Sequence, residues 1–400
     1  MNSLTTTTTV NSRNIYRFCR NISLAFALVP ALVVLLLSAA SPAQAQETLI
    51  YSFGPSPDGA SPVASLVLDS MGNLYGTTLD GGADRFGTVF KITPSGAETV
   101  LHSFPANSLD GALPEAGLVM DSNGNLYGTT SSGGAHGVGT VFEVTSAGTE
   151  TVLYSFTGGP DGGIPYGGLV LDSGGNLYGT TRSGGAYHGG TAFELTPSGA
   201  ETVWHSFGHG SDGKFPYAGL VRDSSGNLYG TTYNGGTAGL GTVFQITASG
   251  TETVLHSFTG TSGGDGAYPN ATLIRDAAGN LYGTTVGGSP GASIAFEISA
   301  SGKETVLYSF PATDHAYGGL IMDSTGNLYG TTKFGGTHKV GGVYEITVNG
   351  AVPTLYSFVK SQRDGYNPMA GLVMDKSGAL YGTTFRGGSH SNGAVFKLVP

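Results

Sequence analysis

Asn73-Leu74-Tyr75-Gly76-Thr77-Thr78 decides the fold, because this stretch or a close variant returns at regular intervals to the end of the chain. Its seven tyrosines are Tyr75, Tyr127, Tyr178, Tyr229, Tyr282, Tyr329 and Tyr381. They are separated by 52, 51, 51, 53, 47 and 52 residues. A fixed period near fifty residues indicates a repeat architecture, in which each unit packs against its neighbours.

One repeat, residues 117–156, shows what each unit contains. Apolar runs at 117–121 and 126–130 flank a Ser-Asn-Gly turn and are followed by a glycine-rich loop. Residues 140–145 alternate apolar and polar, and a further β-favoured run follows at 150–156. Four short strands joined in this way predict an antiparallel meander. Such a sheet must cover both faces, so we expect the units to stack radially as a β-propeller.

The two ends of the repeat region indicate how the ring closes. Residues 47–53 resemble a fourth strand without the preceding three, whereas the last repeat, residues 371–399, has three strands and no fourth. We therefore predict an all-β domain over residues 46–400, a seven-bladed β-propeller of four-stranded antiparallel blades. Strand 47–53 would pair with 394–399 and complete the seventh blade, which removes an exposed sheet edge.

Residues 1–45 have the pattern of a Sec-type signal peptide. A polar start with Arg13, Arg17 and Arg20 precedes nineteen mostly apolar residues, 22–40, and an Ala-Gln-Ala site that ends at Ala45. An uncleaved membrane anchor is the alternative, because such a run can just span a bilayer. Cleavage would remove the single cysteine, Cys19, and with it disulfides and thiolate chemistry. We expect a secreted, extracellular or periplasmic protein.

Charge and composition restrict the partners. The 68 glycines among 400 residues follow the repeat, as turn residues would. Without the three leader arginines, 14 basic residues face 27 acidic ones, which gives a net charge of −13. An acidic surface without a basic stripe argues against nucleic acid, and against an anionic membrane once the leader is cleaved. We expect a monomer whose partner is an extracellular glycan or protein.

Repeated polar residues are interpreted as turn chemistry. An aspartate ends each predicted first strand, as Asp121 does, and the residues after it are typical of a hairpin turn. A calcium loop is the alternative, although its spacing is short and a distal acid is missing. Asp-Gly-x-x-Pro marks the loops between blades. Histidines His102, His205 and His256 replace the tyrosine of the Tyr-Ser-Phe strand and are interpreted as packing variants.

The consensus of the repeat reads Gly-Leu-Val-x-Asp-Ser-x-Gly-Asn-Leu-Tyr-Gly-Thr-Thr, then Gly-Gly, Gly-Thr-Val-Phe-Glu-Ile-Thr and Gly-x-Glu-Thr-Val-Leu-Tyr-Ser-Phe. This pattern resembles the GloVer tandem-repeat family of secreted bacterial proteins over residues 47–399, and the resemblance implies an exported, β-propeller-like protein. A looser likeness connects the Gly-Asn-Leu-Tyr strand with NHL repeats and the Leu-Tyr and Gly-Gly elements with kelch repeats. A kelch repeat would place a tryptophan in the fourth strand, where only Trp204 occurs.

Candidate functional residues are those that break the repeat at the loop-rich end of the ring. The loops between second and third strands and the loops between blades should open on the same end, over the central channel. Three sets differ between blades. They are the tyrosines before the first strand, Tyr166, Tyr217 and Tyr317; the first-strand arginines, Arg222 and Arg275; and the loop histidines, His136, His188, His338 and His390.

Each set has two interpretations. Tyrosine rings around a channel can stack on sugars, or they can pack at the rim. The arginines can hold a carboxylate or phosphate, or they can pair with the neighbouring Asp223 and Asp276. Histidines on one mouth can hold a metal. Their origin in different blades, without an acidic partner at fixed spacing, favours solvated loop residues instead.

The near-identity of the blades favours a binding or scaffold module. Without a cysteine in the mature chain or a His-Glu-x-x-His motif, no catalytic residue and no cofactor is predicted, while a divalent metal is left open. The alternative is an enzyme at the channel mouth, a lyase or hydrolase acting on a glycan or lactone-like molecule, supported mainly by fold analogy. A structural protein of the cell envelope is the third hypothesis.

Overall fold

In the computed structural model of the protein, the Asn-Leu-Tyr-Gly-Thr-Thr stretch supplies the second strand of each of seven antiparallel sheets. The structure describes residues 45–106, 109–260, 264–287 and 293–400. The predicted leader, 1–45, lies outside the described residues except for Ala45. Every regular element in these ranges is a β-strand, and they include no helix long and apolar enough to cross a membrane. The predicted seven-bladed β-propeller is confirmed.

Each blade contains a first strand of two residues and three longer strands, so the first strand is shorter than the sequence suggested. From first to fourth strand, the blades are: blade 1, Val67–Leu68, Leu74–Thr78, Thr88–Ile92, Glu98–Ser103; blade 2, Val119–Met120, Leu126–Thr130, Thr140–Val144, Glu150–Ser155; blade 3, Val170–Leu171, Leu177–Thr181, Thr191–Leu195, Glu201–Ser206; blade 4, Val221–Arg222, Leu228–Thr232, Thr242–Ile246, Glu252–Ser257; blade 5, Ile274–Arg275, Leu281–Gly287, Ile294–Ile298, Glu304–Ser309; blade 6, Ile321–Met322, Leu328–Thr332, Gly342–Ile346, Thr354–Ser357; and blade 7, Val373–Met374, Leu380–Thr384, Ala394–Val399, Gln46–Ser52.

Blade 7 takes its fourth strand from the start of the domain. Gln46–Ser52 pairs antiparallel with Ala394–Val399, from Gln46 opposite Val399 to Ser52 opposite Ala394, with a register shift between Leu49 and Tyr51. A hydrogen bond from Thr383 Oγ1 to the Ala64 carbonyl oxygen, 3.3 Å long, joins blade 7 to blade 1. The predicted closure of the ring is confirmed, within one residue of the expected strand limits.

The hydrophobic core lies between blades. At each of the seven junctions, a fourth-strand aromatic ring meets a third-strand aromatic ring of the next blade, with ring centroids 4.8–5.2 Å apart. The pairs are Phe53–Phe90, Phe104–Phe142, Phe156–Phe193, Phe207–Phe244, Phe258–Phe296, Phe310–Tyr344 and Phe358–Phe396. Edge-to-face pairs of buried rings add stability beyond the apolar area they remove from water. The repeated phenylalanines therefore hold the ring together.

The glycine after each repeated tyrosine makes room for this ring packing. A Cβ atom added at Gly76 would lie 2.7 Å from Phe90 Cζ and 2.9 Å from Leu66 Cδ2. The same conflict recurs at Gly128, where the added atom would lie 2.6 Å from Phe142 Cζ. The repeated glycine is thus required by a third-strand aromatic ring that lies across the second strand.

The two long loops of each repeat are held on the same end of the ring. In four repeats, the residues after the Asp of the interblade loop pair with the residues that begin the loop between second and third strands. These pairs are Gly59–Ala60 with Asp80–Gly81, Gly111–Ala112 with Ser132–Gly133, Gly213–Lys214 with Asn234–Gly235, and Gly365–Tyr366 with Arg386–Gly387. In blade 5, Ala267–Pro269 pairs with the extended second strand. This end of the ring is called the mouth below.

Candidate functional site

A cavity of about 680 Å³ occupies the mouth, over the central channel. The position three residues before the leucine that directly precedes each first strand, called the rim position, lines the cavity in all seven blades. The rim residues are Val63, Glu115, Tyr166, Tyr217, Asn270, Tyr317 and Met369. The three tyrosines singled out in the sequence are therefore brought to one cavity, together with a carboxylate and an amide from other blades.

A second variable position was missed in the sequence, and it lines the same cavity in three blades, at Leu79, Lys333 and Phe385. It is the residue directly after Gly-Thr-Thr, called here the post-strand position: Leu79, Ser131, Arg182, Tyr233, Val286, Lys333 and Phe385. Its backbone N–H donates to the interblade loop, as from Arg182 to the Ile164 carbonyl oxygen at 3.1 Å and from Lys333 to the His315 carbonyl oxygen at 2.8 Å. Aligning the repeats on Gly-Thr-Thr would have revealed it, because an invariant strand is followed by seven different residues.

Four half-buried tyrosines form a continuous aromatic surface along blades 3 to 5, called the tyrosine wall: Tyr166, Tyr217, Tyr233 and Tyr268. Tyr166 and Tyr217 stack with centroids 5.2 Å apart and planes 13° apart. Tyr217 meets Tyr233 edge-on at 5.1 Å, and Tyr233 stacks on Tyr268 at 5.0 Å. Rings fixed in this way present flat apolar surface with hydroxyl groups at its margin.

Two cationic side chains contact tyrosine rings of the mouth, one at the tyrosine wall and the other at Tyr317. Arg182 Nε donates to the Tyr217 hydroxyl oxygen at 2.7 Å, and its guanidinium lies 5.4 Å from the Tyr217 ring centroid. Across the cavity, the Lys333 ammonium lies 4.9 Å from the Tyr317 ring centroid. Burial, and secondarily the nearby Arg386, lowers the pKa of Lys333. Both cations are held against aromatic rings that line the cavity, Tyr217 and Tyr317.

Glu115 is the acidic residue of the rim. Its Oε1 accepts a hydrogen bond from Ser131 Oγ at 2.9 Å, so the rim and post-strand positions of blade 2 interact directly. Burial raises the pKa of Glu115, the Asp80 carboxylate adds to that effect, and the Ser131 hydrogen bond opposes it. The mouth therefore combines apolar rings with fixed hydrogen-bonding groups of both charges.

The four loop histidines lie away from this cavity surface. His136, His188, His338 and His390 are all exposed, in the loops between second and third strands. None of them is among the described residues that line the cavity. The groups of three metal-ligating side chains found within the described ranges also do not include them.

The two first-strand arginines pack against the preceding blade, which differs from the pairing expected from sequence. Arg222 Nη2 lies 3.8 Å from Asp172 Oδ2, and its guanidinium lies 5.2 Å from the Tyr178 ring centroid. Arg275 lies over the Tyr229 ring at 5.6 Å. Neither arginine is among the described residues that line the mouth cavity. Stacked blades place these side chains on the turn of the previous blade, so Asp223 is not the partner of Arg222.

The repeated aspartate after the first strand is occupied by its own turn. Asp121 Oδ1 accepts from the backbone N–H groups of Asn123 and Asn125, both at 2.8 Å. Oδ2 accepts from Asn125 Nδ2 at 3.1 Å and from the Tyr127 hydroxyl at 3.3 Å. Burial acts to raise the pKa of Asp121, but these hydrogen bonds outweigh it and lower the pKa. This geometry agrees with the turn interpretation.

The chain belongs to the Gloeobacter/Verrucomicrobia repeat family, whose model matches residues 37–182 and 168–396. The resemblance recognised in the repeat is thereby confirmed. A search of curated proteins found no match.

Two solved structures share the fold, both of the extracellular domain of one B. thetaiotaomicron protein, assigned as a hybrid two-component system in one and a one-component system in the other. The first has a TM-score of 0.59 at 13% identity over 88% of this chain. The second has a TM-score of 0.57 at 13% identity over 89% of this chain. This chain spans 39% and 40% of those two longer chains, so the likeness concerns the propeller fold.

Proposed function

We propose that the protein is a secreted or periplasmic binding module that takes an extracellular glycan at the channel mouth. The observation that carries the proposal is where the repeats diverge. The strands and junctions repeat almost unchanged, whereas two mouth positions vary. The rim position lines one cavity in all seven blades and carries five residue types, and the post-strand position, which lines the same cavity at Leu79, Lys333 and Phe385, carries seven. In a repeat scaffold, recognition residues are expected where the blades differ at a shared concave surface.

The chemistry of the cavity fits a saccharide. A volume of about 680 Å³ is within the range of small-ligand sites and accommodates a few sugar rings. The flat face of a sugar ring can stack on the tyrosine wall, while its hydroxyl groups can bond to Glu115, Asn270 and Lys333. A globular protein partner would instead need roughly 800 Å² of complementary surface. The concave shape therefore supports a glycan over a protein ligand.

The leader pattern supports an extracytoplasmic location for this binding. Residues 1–45 combine basic residues, an apolar run and an Ala-Gln-Ala site. The two structures of similar fold are also extracellular domains, although their low identity restricts that comparison to the fold. An extracellular or periplasmic protein would meet envelope and environmental glycans directly.

The test is isothermal titration with a panel of soluble glycans, followed by two tyrosine variants. Tyr217→Ala removes the ring at the centre of the wall and should weaken binding about tenfold, since one stacked ring contributes about 1–1.5 kcal/mol. The matched control is Tyr187→Ala, whose ring is 51% exposed on the loop between second and third strands of blade 3. It should bind like the native protein.

Other outcomes would contradict the proposal in specific ways. Cleaved or unsaturated product in the titration cell would indicate the lyase or hydrolase alternative. Binding that survives Tyr217→Ala but is lost in Tyr187→Ala would move the site to the outer loops. A protein that binds none of the glycans would support the structural role in the cell envelope.

A further inference from the structure

The junctions between blades hold a repeated set of ionisable side chains outside the mouth cavity. At six of the seven junctions the set combines a fourth-strand histidine or tyrosine, the aspartate of the following interblade loop, and the glutamate at the start of the next fourth strand. His102, Asp110 and Glu150 form this set between blades 1 and 2, and His205, Asp212 and Glu252 form it between blades 3 and 4. In each of these two sets, one ligand atom from every residue lies within 4.8 Å of the others.

The first set contains two buried polar atoms without a hydrogen-bond partner among the described residues, His102 Nε2 and Glu150 Oε1. His102 Nε2 lies 3.3 Å from Asp110 Oδ2, and the side chains of His102 and Asp110 are only 17% and 13% exposed. Buried polar atoms are stabilised by a partner that hydrogen-bonds or coordinates them, so a ligand of this group would be favoured here.

The second set repeats the arrangement. His205 Nε2 lies 2.9 Å from Asp212 Oδ2, and the Asp212 side chain is 9% exposed. Glu252 Oε1 is again buried and has no partner within the described residues. At both junctions two carboxylates lie beside one imidazole, with a ligand atom of each within 4.8 Å of the others.

We propose that these two junctions each bind a divalent cation, with Zn²⁺ as the best fit. One imidazole nitrogen and two carboxylate oxygens form an N/O donor set that suits Zn²⁺, with the fourth tetrahedral position open to water. Bonds of about 2.0–2.2 Å place neighbouring ligand atoms roughly 3.3 Å apart in a tetrahedron, which matches the His102–Asp110 distance. A change of side-chain rotamer at Glu150 or Glu252 would bring its carboxylate to the ion as the third protein ligand.

The two glutamates lie in surroundings that disfavour a charged carboxylate. Burial, and next the Asp110 carboxylate, raises the pKa of Glu150 to about 7, with the His102 ring opposing them. Burial and the Asp212 carboxylate likewise raise the pKa of Glu252 to about 7. A divalent cation would neutralise the facing carboxylates, which would otherwise need a shared proton.

The remaining junctions explain why only two sites are proposed. At three of the four junctions where tyrosine replaces histidine, its hydroxyl donates to the aspartate, as Tyr51 does to Asp58 Oδ2 at 2.8 Å, and tyrosine offers no nitrogen ligand. His256 lies 3.4 Å from Asp265 Oδ2, but the longer loop there engages that carboxylate. Asp265 Oδ1 accepts from Thr259 Oγ1 at 3.0 Å and from Gly260 N at 2.9 Å.

The natural exchange of histidine for tyrosine supplies the test. The untagged protein, stripped of metal with chelator, is titrated with Zn²⁺ and, for the visible spectrum, with Co²⁺. The native chain should bind two ions. His102→Tyr and His205→Tyr should each remove one and the double variant both, while unfolding in chelator stays near that of the native protein. Tyrosine already occupies this position in four junctions, so both variants should fold.

A gain of binding is the sharper arm of the experiment. Asp58 is held as Asp212 is, by backbone N–H groups four residues before and one residue after it. Tyr51→His should therefore create a third site with Glu98. A variant with His136, His188, His338 and His390 all changed to asparagine should keep two ions. Two results would overturn the proposal. The first is a native protein that binds no Zn²⁺ at micromolar concentration, which would mean that the facing carboxylates only share a proton. The second is a number of bound ions that stays the same in both His→Tyr variants.

Discussion

The junctions between blades and the mouth of the channel are built from the same repeat but differ in how far they vary. At the junctions, seven aromatic pairs keep centroid distances of 4.8–5.2 Å with almost the same residues each time. At the mouth, the rim position is valine, glutamate, tyrosine, asparagine or methionine on an equally constant backbone. Constancy in this chain thus identifies what holds the ring together, and variation identifies where it can recognise something.

The largest effect should follow from breaking the junction that closes the ring. Phe53 is fully buried and meets Phe90 edge-on at 5.1 Å. Phe53→Ala should lower the free energy of unfolding by about 3–5 kcal/mol, because it leaves a cavity between blades 7 and 1. Chemical denaturation measures this change. Met71→Ala, at a side chain 72% exposed, is the control and should be near neutral; equal losses in the two variants would refute the role of the junction.

A smaller loss should follow from filling the space that the repeated glycine leaves. In Gly76→Ala the new methyl group would lie 2.7 Å from Phe90 Cζ, so the ring must shift and the variant should lose about 1–3 kcal/mol. The control is Gly174→Ser in a turn, since Ser225 and Ser377 occupy that position in other repeats. If Gly76→Ala unfolds at the same denaturant concentration as native protein, the ring-over-glycine packing is not required.

The junctions should also make stability depend on pH. Burial, and next a facing aspartate, raises the pKa of Glu98 from 4.5 to about 7, and the equivalent glutamate has a pKa of about 7 at five more junctions within the described chain. Between pH 4.5 and pH 7 the folded state therefore binds more protons than the unfolded state. The stabilisation contributed by these protonated glutamates is fully present below pH 4.5 and is lost as the pH rises through 7.

Thermal unfolding in chelator measures this dependence. We expect the midpoint to fall by about 5 °C between pH 5 and pH 8.5, a modest value because the partly exposed glutamates are screened by solvent. Glu98→Val should reduce the slope, since Val352 occupies the equivalent position in blade 6. A midpoint that rises over this range would show that the glutamates are not protonated in the folded protein.

The smallest effect on stability is expected at the mouth. Tyr217 is half-buried and its loss removes one stacking contact and one hydrogen bond, so Tyr217→Ala should lower the free energy of unfolding by only about 1 kcal/mol. The same denaturation experiment as for Phe53→Ala places the two regions on one scale. A loss as large as that of Phe53→Ala would mean that the tyrosine wall is a structural element.

The sequence predicted the fold because every local signal recurs. The Gly-Thr-Thr strand, its turns and the incomplete first and last repeats together determine the number of blades and the closing pair. The rim tyrosines were found for the same reason, since alignment of the repeats exposes them at one position. The post-strand residues were equally visible in that alignment, and only the position after Gly-Thr-Thr had to be compared.

Contacts between blades could not be predicted in this way. Asp172 lies near Arg222 at 3.8 Å, and His102 lies near Asp110 and Glu150, because of how one sheet is rotated on the next. That rotation depends on the packing of whole blades, and no local spacing encodes it. His102, His205 and His256 were therefore interpreted as packing variants, whereas the structure places each of them beside an aspartate.

The pairing of Gln46–Ser52 with Ala394–Val399 has a consequence for how the protein matures. The earliest segment of the domain to leave the ribosome must wait for the last, while the six intervening blades can assemble in order. Bringing such distant segments together carries a large entropic cost that only the finished chain can offset. A chain that ends before Ala394 would leave Gln46–Ser52 without its partner strand and would expose an unpaired sheet edge in the ring.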